Sequence, residues 1–185
     1  MRKLCVSHWL TEKVMGEYVG NGINLMKFKR MAEVQKVKDS VMLTVRRGIR
    51  WKNPDLTLKV ADELESSGYT VFRAEGNLTE KELVETYNKA RVFLNLSGKE
   101  GFNYNILEAM ACECAVVTSP CSEYLIGMSN AYVLPHVTFE NALVGIGRVL
   151  TNKELYDTLI RGGLATAKEF NFEKVVDKFE EEVFK

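Results

Sequence analysis

Residues 100–108 read EGFNYNILE, Glu100 to Glu108, and the reading of this stretch decides the fold. It is preceded by ARVFLNLSGK (residues 90–99) and followed by AMACECAVVTS (residues 109–119). A short continuous apolar run that ends in a polar turn predicts a buried parallel strand. The segment after it predicts a helix with Glu108 about one turn inside, and then AVVTS as a further strand. Strand, loop, carboxylate and helix in that order place ligand chemistry beyond the carboxyl end of a strand in an open α/β sheet. The free N–H groups and positive dipole end of such a helix suit a phosphate.

Working outward, SVMLTV (residues 40–45), YTVFRA (69–74) and AYVLP (131–135) read as further strands. Pro54 suits a first helical turn, with Leu56, Val60 and Leu64 on one helix face and Gly68 ending it. Thr79 and Glu82 have the spacing of a capping box. A strand over Arg2 to Ser7 and a helix from about Trp9 to Glu17 open the chain. A connector, Val19 to Met31, and a basic polar linker to Asp39 follow. Three helical stretches close the chain after Thr138, with Phe at helical spacing read as core. Short loops between alternating strands and helices predict an α/β, Rossmann-like doubly wound parallel sheet flanked by helices. One domain spans 1–185, with 1–38 as opening strand, helix and linker and 39–185 as main sheet and closing helices.

The chain has 185 residues, 46% of them hydrophobic and 27% charged, with 25 basic and 25 acidic side chains. The absence of a basic excess argues against a broad nucleic-acid surface. No apolar run approaches the roughly 20 residues of a membrane helix, and MRKLCVSH lacks the apolar core of a secretory signal. The expected location is cytoplasmic, with peripheral membrane association only through a partner. Cys112, Cys114, Cys121 and His136 are a conceivable metal set, but their spacing is unlike the paired short spacings of structural zinc sites. Cys5 and these three are read as small buried thiols.

The pair Glu100 and Glu108, with seven residues between, closely resembles the signature of retaining GT-B glycosyltransferases of the group 1 type. In that family the stretch usually reads like EGFGLPLLEAMACGTPVVAS. Arg47 and Lys52, in the RRGIRWKNPD loop after SVMLTV, keep the family's spacing of an arginine and a lysine. CVSHWLTEKV with VGNGIN, and FNFEKVVDKFEEEV at the end, are also similar to that family. The resemblance covers nearly the whole chain and implies one half of a GT-B fold, the C-terminal, donor-nucleotide-binding half.

The resemblance implies a glycosyltransferase domain that binds a nucleotide-diphosphate sugar donor and transfers the sugar, with retention, to an unknown acceptor. It implies neither metal nor cofactor. Arg47 and Lys52 would face the diphosphate, where fixed cations stabilise the charge that builds on the leaving group. Glu100 would lie by the donor sugar and Glu108 would accept from two ribose hydroxyls. Gly101, Phe102, Asn103, Tyr104 and Asn105 would line the donor site. An acceptor-binding N-terminal GT-B domain, in cis or in trans, or a homo-oligomer would complete the cleft. The chain is then an excised fragment or a naturally split half.

Departures from the family pattern are specific. Asn103 replaces a glycine, and Glu113 and Ala115 replace a glycine-proline pair around Cys114. SPCSEYLIG is shorter than the family's glycine-rich loop, and one βα unit is missing between Lys52 and VFLNLS. The missing glycine-rich loop and the missing acceptor-binding half favour the rival reading of a non-catalytic nucleotide-sugar binding or regulatory module. A glycosidase carboxylate pair has no further support, and no G-x-G-x-x-G follows the first strand to suggest a dinucleotide site. Trp51 is a base-stacking residue, an exposed loop tryptophan or a packing cover. Tyr104 and Tyr124 either line a sugar site or seal a helix–sheet junction. His8 reads as a helix-start residue.

Overall fold

The structure is a computed structural model and describes residues 4–5, 11–12, 15, 17–18, 20–98 and 100–184, with the backbone alone at Leu4 and Glu17. Two short parallel strands, β1 (Leu4–Cys5) and β2 (Glu17–Tyr18), pair at the start. Thr11 and Glu12 between them are helical. Glu17 therefore belongs to a strand and not to the expected helix, because its backbone pairs with Leu4. The expected strand over Arg2 to Ser7 is seen at Leu4–Cys5; its other residues, and His8, lie outside the described residues.

The main sheet holds β3 (Ser40–Thr44), β4 (Thr70–Ala74), β5 (Val92–Asn95), β6 (Ala115–Thr118) and β7 (Tyr132–Val133). All pairings are parallel and the spatial order is β4-β3-β5-β6-β7. This is the doubly wound order 3-2-1-4-5-6 without its outer strand 3. Strand β4 is consequently an edge. Its Arg73 donates to Asp62 over 2.7 Å and to Glu65 over 3.0 and 2.7 Å, a charged cover of the kind that blunts an open sheet edge.

Among the described residues the helices α1 (Pro54–Ser66), α2 (Glu80–Lys89), α3 (Tyr104–Ala111), α4 (Phe139–Thr151) and α5 (Lys153–Glu169) pack on the sheet, and α6 (Phe172–Val183) closes the chain with none of its residues buried. The alternation of a strand divides the core. Met42, Phe93 and Val116 face Val84 and Tyr87 of α2 and Ile106, Leu107 and Met110 of α3. Val41, Leu43, Val92, Leu94 and Val117 face Val60, Ala61 and Leu64 of α1 and Ala142, Ile146 and Val149 of α4. The Thr79–Glu82 capping box is formed in both directions, and Pro54 occupies the first turn of α1. Gly68, at φ 86°, follows that helix in the left-handed region. Close packing of α5 depends on Gly162, where a Cβ would overlap the Ser129 carbonyl.

The linker is less solvated than its composition suggests. Lys36 is partly buried, and its ammonium donates to the carbonyls of Tyr87 (3.1 Å), Ala90 (2.7 Å) and Cys112 (3.0 Å). One cation thus gathers the carboxyl-terminal carbonyls of α2 and α3, where helix dipoles favour positive charge. Burial lowers its pKa. Among the described residues no helix is long and apolar enough to cross a membrane.

Candidate functional site

The chain leaves β3 towards β4 on one side and returns to β5 on the other, so the strand order reverses between β3 and β5. Ligands of doubly wound sheets bind outside the carboxyl ends of the strands at such a reversal. Here the loops after β3 and β5 are laced together. Gly98 N donates to Trp51 O over 2.7 Å and Asn53 Nδ2 donates to Leu96 O over 2.8 Å. The loop after β6 joins them, since Glu100 N donates to Cys121 O (3.2 Å) and Ser119 Oγ to Ser97 O. Asn53 adopts the left-handed conformation (φ 48°, ψ 51°) between the 3-10 turn Arg50–Lys52 and α1, which aims that turn at the β5 loop.

Lys52 and Glu100 meet in this crevice. Lys52 Nζ lies 2.5 Å from Glu100 Oε1, with the two side chains 24% and 12% exposed. That oxygen is shut from solvent and receives no hydrogen bond of good geometry. The contact is therefore charge against charge, and Lys52 is what compensates the carboxylate. Arg47 is elsewhere engaged: its Nε and Nη2 lie 3.3 and 3.2 Å from Glu75 Oε2 at the end of β4. That pair is exposed, 68% and 33%. The two cations expected to share one diphosphate thus hold different carboxylates, because β3 has a loop on each side to pair with.

Helix α3 begins with Asn103 as N-cap but without a side-chain cap bond. The Asn103 amide instead turns inward and donates to Asn95 Oδ1 over 3.3 Å. Asn95 is the hub of a buried polar cluster: Oδ1 also accepts from Ser97 Oγ (2.9 Å), and Nδ2 donates to Thr118 Oγ1 (3.0 Å) and Cys121 Sγ (3.3 Å). A donor contact at Asn103 would therefore have to come from its backbone. Asn105 reaches back to Thr44 Oγ1 at the end of β3 (3.3 Å). Gly101 is exposed, and a Cβ there would meet nothing within 4 Å. Phe102 packs on Tyr104, Tyr124 and Phe170 at ring separations of 5.0, 5.8 and 5.4 Å. Tyr124 seals the junction, with its hydroxyl donating to Asn103 O over 2.7 Å, while Tyr104 is exposed. Trp51 is exposed too.

Glu108, one turn into α3, is partly buried, and its Oε2 accepts from the Tyr87 hydroxyl over 3.1 Å. Burial raises its pKa and the tyrosine bond opposes that, with Glu80 raising and Lys27 lowering it. Tyr87 is fully buried between Phe28 and Phe93, and burial with the adjacent Glu108 holds its own pKa well above the ordinary value. Tyr87, Asn95, Asn53 and Glu75 were not singled out in the sequence. The polar Asn95 inside an apolar strand was the one local signal available.

All four cysteines are free and buried. Cys114 Sγ donates to Tyr87 O over 2.9 Å and Cys121 joins the Asn95 cluster, whereas His136 is exposed. Among the described residues no three His, Cys, Asp or Glu side chains are grouped to hold a metal.

The family model described as Glycosyl transferases group 1 matches residues 21–152, a span that contains Arg47, Lys52, Glu100 and Glu108. The chain belongs to this family. No curated protein matches. Among solved structures, this group 1 chain is similar to sucrose-phosphate synthase from Thermosynechococcus elongatus, with 18% identity over 98% of this chain and 58% of that one and a TM-score of 0.77. It is similar to Anabaena HepE in complex with UDP and glucose, with 12% identity over 97% and 62% of the chains and a TM-score of 0.77. The C-terminal domain of the group 1 family protein LpcC from Francisella tularensis is matched over 80% of this chain and 97% of that one, with 15% identity and a TM-score of 0.65. The fold is that of GT-B glycosyltransferase domains. This chain spans 58% of the first of these structures and 62% of the second.

Proposed function

We propose that this group 1 chain is the C-terminal, donor-binding lobe of a retaining glycosyltransferase and binds a nucleotide-diphosphate sugar in the crevice between β3 and β5. The observation that carries the reading is the convergence there of Lys52, Glu100 and the uncapped start of α3. The diphosphate lies against Lys52 and the α3 N-terminus, with Arg47 turning from Glu75 to join it. Gly101 leaves room for the ligand beside the backbone, and Phe102, Tyr104 and Asn105 border it. Glu108 accepts from the ribose hydroxyls through the oxygen that Tyr87 leaves free. Glu100 faces the sugar. No metal is needed, because fixed cations and a helix dipole meet the phosphate charge. The acceptor is held by a second lobe, in cis, in trans or from another copy.

A non-catalytic nucleotide-sugar binding module is the second reading. It is favoured by the loop after β6, where Ser119 and the Cys121 carbonyl are taken up in lacing the neighbouring loop.

Ligand-observed NMR against a panel of nucleotide sugars, with and without chelator, tests donor binding. The expected result is binding of one base class with affinity unchanged within about twofold by chelator, well below the ~1.4 kcal/mol of a tenfold change. Binding lost in chelator contradicts the metal-free reading. An acceptor-dependent transfer assay with and without candidate acceptor lobes separates the two readings: donor binding with no transfer in any combination supports the module.

A further inference from the structure

The cations that a diphosphate would use are already occupied by carboxylates. The outer pair, Arg47 with Glu75, is open to water, where such contacts are weak and screened. The inner pair is different. Glu100 Oε1 is enclosed, and Lys52 at 2.5 Å is its compensation. A buried carboxylate whose cation is taken away keeps its desolvation cost and loses its offset. A diphosphate that captures Lys52 therefore leaves Glu100 unmatched, unless another donor reaches that oxygen.

Sugar hydroxyls are such donors, and a bare nucleoside diphosphate has none at that end. We propose that Glu100 competes with the diphosphate for Lys52, so that the site accepts the sugar-bearing donor and expels the spent nucleoside diphosphate. The donor exchanges hydroxyl hydrogens for the lysine at Glu100. After transfer the sugar is gone, and the Lys52–Glu100 pair re-forms as the diphosphate leaves. The proposal rests on the reading that Lys52 faces the diphosphate, and it adds a direction to the exchange of ligands at that site.

The test is calorimetry on the full chain with inorganic pyrophosphate, with UDP, ADP and GDP, and with the glucose conjugate of each nucleotide. Wild type is compared with Glu100→Gln, Glu100→Asp, Lys52→Met and the Lys52→Met/Glu100→Gln double variant, each checked by thermal melting. Removing competition should tighten pyrophosphate and the cognate diphosphate at least about fivefold, the upper end for an exposed pair, and should not tighten the glucose conjugate as much. Aspartate, one methylene shorter, should act in the same direction and covers a failure of the glutamine variant to fold. In the Lys52→Met background the glutamine substitution should no longer tighten the diphosphate. General repulsion by the Glu100 charge would persist there.

Two failures are distinguishable. If Lys52→Met leaves diphosphate affinity unchanged, Lys52 does not face the diphosphate, and both the site reading and the competition fall. If Lys52→Met weakens the diphosphate but neither Glu100 variant tightens it, the competition is overturned while the donor site stands.

Discussion

The hydroxyl of Tyr87, from the buried side of α2, donates to Glu108 Oε2 on α3 over 3.1 Å. This bond fixes one carboxylate oxygen, and in the proposed reading the other accepts from the ribose. It joins two helices that succeed different strands, so its geometry comes from the sheet and from no local turn. Tyr87→Phe should cost the fold about 1–2 kcal/mol, because a buried acceptor loses its donor. That is a melting-temperature fall of roughly 2–8 °C at this chain length. Nucleoside diphosphate should also bind less tightly, since Glu108 is freed to turn. An unchanged melting temperature and affinity would show the bond to be incidental.

The pH dependence of Glu108 has a definite sign. Burial raises its pKa above the ordinary 4.5. The folded state therefore gains from its protonation: that contribution is complete below the unfolded value and is lost as pH rises through the folded one. Glu108→Gln does not titrate, so it should melt higher than wild type at neutral pH, and the difference should shrink as pH falls towards 4.5. Thermal melts across that range check this. A difference that grows on acidification contradicts the buried-carboxylate account.

Asn53 combines a left-handed backbone with a side-chain bond to Leu96 O. Asn53→Gly should lose only the bond, about 1 kcal/mol. Asn53→Ala should lose the bond while keeping a Cβ at positive φ without the polar side chain that makes it tolerable, about 1 kcal/mol worse than glycine. Chemical denaturation of both variants measures the difference. Equal losses would mean that the conformation at Asn53 carries no strain.

Glu113, at the position where the resembled family pattern has a glycine, has a left-handed backbone at φ 57°. Glu113→Gly should stabilise the chain by about 0.5–1 kcal/mol, the relief of strain exceeding the greater freedom of the unfolded glycine. Denaturation midpoints read this directly. A destabilised variant would mean that the Glu113 side chain makes a contact worth more than the strain.

Strands β3 to β7, helices α1 to α6 and the Thr79–Glu82 cap were legible because each follows from neighbours within a turn or from a period of two or 3.6 residues, whereas β2 was not, its pairing with β1 having no local signal. The meeting of Lys52 with Glu100 was legible only as the approach of two loops, since topology brings strand ends together without saying which charges pair. Lys36 read as part of a basic polar linker, and it holds three carbonyls from two helices. Asn103 read as a donor-site residue, yet its amide completes a cluster with Asn95. Arg47 found Glu75, which lies 28 residues away on the next strand's end. Each of these partners is fixed by the sheet order, which no local pattern encodes.

The central claim is that Glu108 reads the ribose of a bound nucleotide. The measurement that tests it most directly is calorimetric binding of the cognate nucleoside diphosphate and its 2′-deoxy counterpart to wild type and to Glu108→Gln. The glutamine replaces one acceptor oxygen by a donor, so the ribonucleotide should weaken by a hydrogen bond to a charged group, about 1.5–3 kcal/mol. The deoxynucleotide, lacking one hydroxyl, should discriminate much less between the two proteins. Equal losses for the ribo and deoxy ligands, or no loss for either, would contradict the account.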